Sequence, residues 1–377
     1  MSNLAKTRYN EGMMNNTEPN ALSKQQANLQ KEIAAGQYET LVRAIANQLD
    51  QLARKVSKRK QPAPFWFTLL ILYGLIFAAG STIALIRNEF FISPEIGLLR
   101  LSLSGFILSF MLTVEVYIGL LLKTTHDHIV PDIEASTDLA DFRQRMAFAF
   151  SRRYQILFGL FFAVITTLVA IFGLNPALQP DQPEFGFVVT AFLLNFLAGS
   201  YFYFMLHLPA LVQISQYDFN VYDQDPANSE LIDHLGDALN LGLYLVGIGA
   251  AIITFILTSF NVFNLLSNII VAIFIWWGPT FIFFVTNQYV LGQIIKRAKW
   301  QTLNDIQAKI KALHTEKDLT EKDSVEAINR LMDYHTRIKE TNNSPINLRA
   351  RLGLLNSLFL PLLGSLLGNL ENLLGFF

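Results

Sequence analysis

Long runs without charged side chains dominate the second half of the chain. The 58 residues from Ala238 to Ile295 contain no Asp, Glu, Lys, Arg or His. One membrane crossing needs only ~20 apolar residues, so this run predicts two crossings joined by a turn at Asn261–Asn264. The second crossing, from about Ile269 to Leu291, is expected to continue directly into a charged helix.

Further apolar runs earlier in the chain are long enough to cross a membrane. They lie at Phe65–Ile86, Leu101–Leu122, Tyr154–Leu174 and Phe187–Val212. Together with the pair above they predict an all-α, polytopic membrane helix bundle. Its transmembrane domain of six spans covers residues 65–295.

The segment before the first span is polar and has a narrow apolar stripe. Residues 1–21 show no apolar period and are expected to be a disordered lead. Residues 22–64 are predicted to form one amphipathic helix, over 23–60, and a basic juxtamembrane segment. The apolar stripe of this helix has helical spacing and consists of Tyr38, Leu41, Ile45, Leu49, Leu52 and Val56.

The segment after the last span has two similar stripes. Residues 296–345 are predicted to form a helical hairpin, with the stripes Leu303, Ile306, Ile310, Leu313 and Val325, Ile328, Met332, Ile338. We expect this hairpin to pack as a coiled-coil-like bundle with the 23–60 helix. The leucine-rich residues 346–377 predict an amphipathic helix lying on the membrane or packed against other helices; a seventh span is the alternative.

The basic residues predict the orientation. Ten Lys and Arg residues precede the first span and five lie between the second and third, whereas the loops on the opposite side hold only Arg87 and Arg100. The positive-inside rule therefore places both termini in the cytoplasm, and we expect the plasma (inner) membrane. The cytoplasmic loop 213–237 has acidic residues and no Lys or Arg.

The amino-acid composition limits the kinds of functional site that this chain can form. There is no cysteine, which removes disulfides, thiolate metal sites and cysteine nucleophiles. The net charge of −1 gives no reason to expect nucleic-acid binding. No phosphate loop, nucleophile elbow, zinc-protease motif or dinucleotide fingerprint occurs, so neither an enzyme nor a cofactor is predicted.

Glu115 is the ionisable side chain placed farthest inside a predicted span. Intramembrane carboxylates often mark ion or proton paths, and they otherwise hydrogen-bond to a neighbouring helix. Both interpretations stay open. His126 and His128 suggest a metal pair, but their side chains diverge on a helix, and no metal site is predicted.

Polar and small residues at helical spacing form further candidate sites. Such residues either line a path through the membrane or let neighbouring helices pack closely. On predicted spans four and five they are Asn195, Gly199, Tyr203, His207, Asn240 and Thr254.

Two functions fit these features. The first is an ion channel or small-solute transporter with its path near Glu115 and the polar face of span four. The alternative is a non-transporting membrane scaffold or sensor whose cytoplasmic helices bind a partner protein. The expected partners are the lipid bilayer, a second copy of the chain and a cytoplasmic protein. Packing around Glu115 and Asn195 should discriminate between the two functions.

Overall fold

The computed structural model describes residues 18–58, 61–87, 94–172, 185–207, 214–222, 225–259, 278–316 and 322–341. This part of the chain contains ten α-helices and no strand, with one isolated antiparallel bridge between Ile133 and Phe219. The all-α prediction is confirmed. The helices are α1 Glu18–Ala34, α2 Leu41–Ser57, α3 Phe65–Ile86, α4 Pro94–Thr124, α5 Ser136–Ala149, α6 Arg152–Phe172, α7 Phe185–His207, α8 Glu230–Ser259, α9 Gly278–Glu316 and α10 Lys322–Glu340.

Apolar helices indicate a membrane-embedded protein. Within the described ranges, four segments are long and apolar enough to cross a membrane, and they coincide with α3, most of α4, α7 and α8. The pair α5 and α6, bent by 42°, would count as a fifth. The number of six spans is therefore not confirmed. Residues 260–277, which include the predicted turn at Asn261–Asn264, lie outside the described part of the chain.

α9 runs without a break from apolar to charged sequence. It covers 39 residues, or about 58 Å at 1.5 Å per residue. Its first part holds the apolar end of the predicted sixth span, and its second part carries Lys296, Arg297 and Lys299. Residues 342–377, including the leucine-rich segment 346–377, are outside the described ranges.

Small residues set the distance between α7 and its neighbours. A Cβ atom added to Gly199 would lie 2.6 Å from the Cβ of Phe162 and 3.1 Å from the Cα of Gly159, both on α6. On the other side of α7, a Cβ on Gly80 of α3 would lie 2.8 Å from the carbonyl oxygen of Gly186. The backbones of three helices thus approach closely where glycine leaves room.

The N-terminal segment corrects the prediction of a single helix over 23–60. It contains two helices, because the chain turns at Gly36, whose φ of +72° suits glycine. α2 then starts after Thr40. The first helix already begins at Glu18, so the end of the predicted disordered lead 1–21 is helical. Residues 1–17 lie outside the described ranges.

The predicted bundle of the N-terminal helix with the 296–345 hairpin is also wrong. α2 packs against α3, α6 and α7, and α1 packs against α5 and the turn after α4. Ile45 packs against the main core. Ile306 belongs to a separate small core with Leu303 and Ile338. The start of the α2 stripe, at Leu41 and Ile45, is therefore covered by the apolar helices and not by the hairpin, and its end, at Leu52 and Val56, is exposed. The stripes of α9 and α10 cover each other, as expected for a hairpin.

The hairpin of α9 and α10 is held at its open end by Lys299. This side chain is 6% exposed. Its ammonium donates to the carbonyl oxygens of Lys339 at 2.9 Å and Thr341 at 2.7 Å. These are carbonyls at the C-terminal end of α10, where the partial negative charge of the helix favours a cation. Burial lowers the pKa of Lys299.

Candidate functional site

Glu115 lies on α4, and side chains from the start of α2 and from α7 surround its carboxylate. Its residue exposure is 5%. The carboxylate oxygen Oε2 accepts hydrogen bonds from the hydroxyl of Thr40 at 2.8 Å and from the hydroxyl of Tyr201 at 2.9 Å. Oε1 makes no aligned hydrogen bond, but it lies 3.2 Å from Nη1 of Arg43. The charge is thus compensated by one guanidinium and two hydroxyl groups.

The sequence around Thr40 explains why α2 presents its first turn to this carboxylate. Thr40 is the N-cap residue of α2, in extended conformation, and its side chain accepts from the backbone N–H of Arg43 at 3.1 Å. The same hydroxyl donates its proton to Glu115. The N-terminus of a helix carries partial positive charge, so α2 adds a favourable field to the Arg43 contact.

The backbone of α2 is fixed to α6 at the same level. The N–H of Leu41 donates to Oε1 of Gln155 at 2.6 Å, in a buried contact. Next to it, Glu39 forms an ion pair with Arg152. Arg152 and Gln155 are in the first turn of α6. Because Thr40 contacts Glu115 and the adjacent Leu41 contacts Gln155, Glu115 lies at the same height in the bundle as the first turn of α6.

The position of Glu115 along α4 can be compared with the length of that helix. The helix α4 has 31 residues, or about 46 Å of length, whereas the hydrocarbon core of a bilayer is about 30 Å thick. Glu115 lies nine residues before the C-terminal end of α4. It is enclosed by protein there, beside the first turn of α2.

α1 packs over the loop that follows α4. Nε2 of Gln26 donates to the carbonyls of Pro131 and Ile133, both at 3.0 Å, and Nε2 of Gln30 donates to the carbonyl of His126 at 2.9 Å. Leu29 on the same face is 1% exposed. Side-chain amides thereby replace water at backbone carbonyls of this loop.

An ion pair and a tyrosine tie the end of α1 to α5. Glu32 pairs with Arg143, whose Nε donates to Oε2 at 3.0 Å. The hydroxyl of Tyr38 donates to the same carboxylate at 3.1 Å. Burial, with a smaller contribution from the Glu32 charge, raises the pKa of Tyr38. We call residues 18–58, held by these contacts and by Glu115, the docked segment.

The other predicted site residues are placed elsewhere. Nδ2 of Asn195 donates to the carbonyl of Ala191 on its own helix at 2.8 Å. The hydroxyl of Tyr203 donates to the carbonyl of Phe148 at 3.0 Å, and Oγ1 of Thr254 donates to Ala250 at 2.6 Å. Asn240 is half-buried on α8.

The predicted polar row and Glu115 do not form one site. In the part of the chain that the structure describes, the partners of the Glu115 carboxylate are Thr40, Arg43 and Tyr201. None of them was among the predicted site residues. His207 ends α7, and its side chain is not among those described. Thr40 could have been recognised as an N-cap before the apolar stripe, but not as a partner of Glu115.

The acidic loop 213–237 is anchored by basic and polar groups. Asp218 forms an ion pair with Arg297 of α9 at 2.7 Å, and its backbone N–H donates to Asp138 at 2.9 Å. The hydroxyl of Tyr217 donates to Asp141 at 2.6 Å. Hydrogen bonds from Arg145 and then Tyr217 lower the pKa of Asp141. These contacts join the loop to α5 and α9.

A histidine cluster lies beside this loop, although the sequence predicted no metal site. The rings of His128 and His234 stack with centroids 3.7 Å apart. Oε1 of Glu230 lies 3.6 Å from Nε2 of His234 and 4.0 Å from Nδ1 of His128. His126 instead contacts Asp127 at 2.6 Å. The missed signal was the Glu230-x-x-x-His234 spacing at the start of α8, which puts both side chains on one helix face.

Comparison of the chain with protein-family models, with curated proteins and with solved structures found no match. The functional proposal therefore rests on the geometry of the chain itself.

Proposed function

We propose that this protein is a non-transporting membrane scaffold or sensor, in which the docked segment closes one end of the helix bundle. The observation that carries the proposal is the use of Glu115. Its carboxylate binds Thr40, Arg43 and Tyr201, and so connects α2 to α4 and α7. A carboxylate on a conduction path needs contact with water or with a moving ion, and this one is 5% exposed.

The polar surfaces of the protein gather at the same end of the bundle, which suits a platform for a partner. α1 contacts the loop after α4 and α5, and the loop at 214–222 contacts α5 and α9 through Asp138 and Arg297. The orientation used in this proposal is the one that the Lys and Arg counts of the loops predicted. With both termini in the cytoplasm, all of these elements would face the cytoplasm.

The hairpin of α9 and α10 supplies the partner surface in this proposal. Two large apolar side chains of the hairpin are exposed, Trp300 by 53% and Met332 by 55%. The proposal assigns them to a contact with another protein, which would cover their apolar surface. A cytoplasmic protein or a second copy of the chain would satisfy the proposal.

A flux assay tests the proposal against transport. Purified protein in liposomes should pass K⁺, Na⁺, Cl⁻ and protons no faster than protein-free liposomes do. Glu115→Gln should leave this background unchanged, since it removes the charge and keeps the side-chain shape. Flux above background that Glu115→Gln abolishes would show that the carboxylate serves a path. Flux that the substitution leaves intact would still contradict the scaffold, and it would place the path elsewhere.

A further inference from the structure

Two helices that are distant in sequence present metal-binding side chains to each other. α4 ends in a π-helical turn, Thr125–Ile129, which carries His128. α8 begins with Glu230 and carries His234 one turn later. π-helical turns are rare and are frequent at functional sites. Here the wider turn places the imidazole of His128 over that of His234.

The spacing of the donor atoms is close to that of a bound divalent metal. One nitrogen from each imidazole and one oxygen from the carboxylate lie within 4.8 Å of one another. A tetrahedral site with bonds of roughly 2.0–2.2 Å needs ligand atoms about 3.4 Å apart. The separations from Oε1 of Glu230, 3.6 and 4.0 Å, are slightly longer than this value. The stacked imidazole rings would turn toward a common point to bind one ion.

We propose that His128, Glu230 and His234 bind a divalent transition-metal ion such as Zn²⁺. Two imidazoles and one carboxylate favour zinc and its neighbours over magnesium or calcium, which prefer oxygen ligands alone. Three protein ligands leave positions for water, as in open zinc sites. The side chains have this access: His128 is 28% exposed, His234 42% and Glu230 80%.

The surroundings of the cluster also suit a cation. Asp132 lies within electrostatic range of both His128 and Glu230 and adds negative charge. A bound ion would tie the end of α4 to the start of α8. It would also hold the turn whose His126 carbonyl accepts a hydrogen bond from Gln30 of the docked segment.

Metal titration of the full-length protein in detergent, purified without a histidine tag, tests this site. Zn²⁺ binding is measured by calorimetry, and the ligand type by the visible absorption of Co²⁺ in the same preparation. We expect one ion per chain. Mutation of a residue that only hydrogen-bonds to a metal ligand typically lowers metal affinity by roughly 10–100-fold. His128→Ala and His234→Ala each remove a ligand itself, so each should weaken Zn²⁺ binding by more than that. Glu230→Gln should weaken it as well.

His126→Ala is the matched control, because His126 lies in the same turn and contacts Asp127 instead of the cluster. It should bind Zn²⁺ like the unmodified chain. The side chain of His234 is 42% exposed, and circular dichroism of His234→Ala verifies that the variant is folded. Absence of Zn²⁺ and Co²⁺ binding in the unmodified chain, or equal binding in all variants, would overturn the proposal. Either result leaves the docking through Glu115 untouched.

Discussion

Replacing Glu115 with alanine is expected to destabilise the folded protein by about 3 kcal/mol, the order found when a buried charged group loses its partner. The substitution deletes the acceptor of two buried hydroxyl groups, those of Thr40 and Tyr201. Hydrogen bonds to a charged group are worth roughly 1.5–3 kcal/mol each. Arg43 reduces the cost, because its side chain is 42% exposed and can be hydrated. Reversible unfolding in detergent, followed by circular dichroism, measures the difference.

Glu115→Gln is the matched control for this prediction. The amide oxygen still accepts from Thr40 and Tyr201, and only the ion pair with the partly exposed Arg43 is lost. Exposed ion pairs are worth about 0–1 kcal/mol, so glutamine should cost much less than alanine. Equal losses for both variants would mean that charge, and not hydrogen bonding, holds α2. No loss for either would remove Glu115 from the docking contact.

Lys299→Met is expected to release α10 from α9 at a cost of about 2–3 kcal/mol. Methionine keeps the apolar stem but removes the donor to the carbonyls of Lys339 and Thr341, and charged donors contribute roughly 1.5–3 kcal/mol each. The hairpin has a small core of its own. The loss should therefore appear as faster amide hydrogen exchange throughout α10, with exchange in α4 and α8 unchanged.

Lys296→Met provides the comparison on the same helix. Lys296 is exposed one turn earlier, so its replacement should leave exchange in α10 as it is. If Lys296→Met and Lys299→Met accelerate exchange equally, the effect comes from the charge of α9 in general. Unchanged exchange in Lys299→Met would show that its hydrogen bonds do not hold the hairpin.

Local sequence predicted the helices better than their partners. An apolar run or stripe reports which face of a helix is buried, because its period follows the helix itself. The stripe through Leu41 and Ile45 was recognised, yet a stripe does not identify what covers it. The hairpin around Ile306 offered an equally good apolar face, and the sequence contained no means of choosing between the hairpin and the bundle.

The site could not be predicted because its contacts join distant positions. Thr40 and Tyr201 reach Glu115 from different helices, and no spacing rule relates them. Glu115 itself was identified, since a carboxylate in an apolar run is conspicuous. Its position relative to α6 depended on Arg152 and Gln155, which only the packed structure places beside Glu39 and Leu41 of the docked segment. The same holds for His128, whose partners Glu230 and His234 begin another helix.

The central claim, that Glu115 docks α2 on the bundle, is tested most directly by a distance measurement between spin labels. The absence of cysteine allows Gln48→Cys on α2 and Ala140→Cys on α5 to be labelled selectively, and both positions are exposed. Pulsed electron spin resonance should give one narrow distance distribution in the otherwise unmodified chain and a broad one after Glu115→Ala. A broad distribution already present with Glu115 intact, or a narrow one that Glu115→Ala leaves unchanged, would contradict the account.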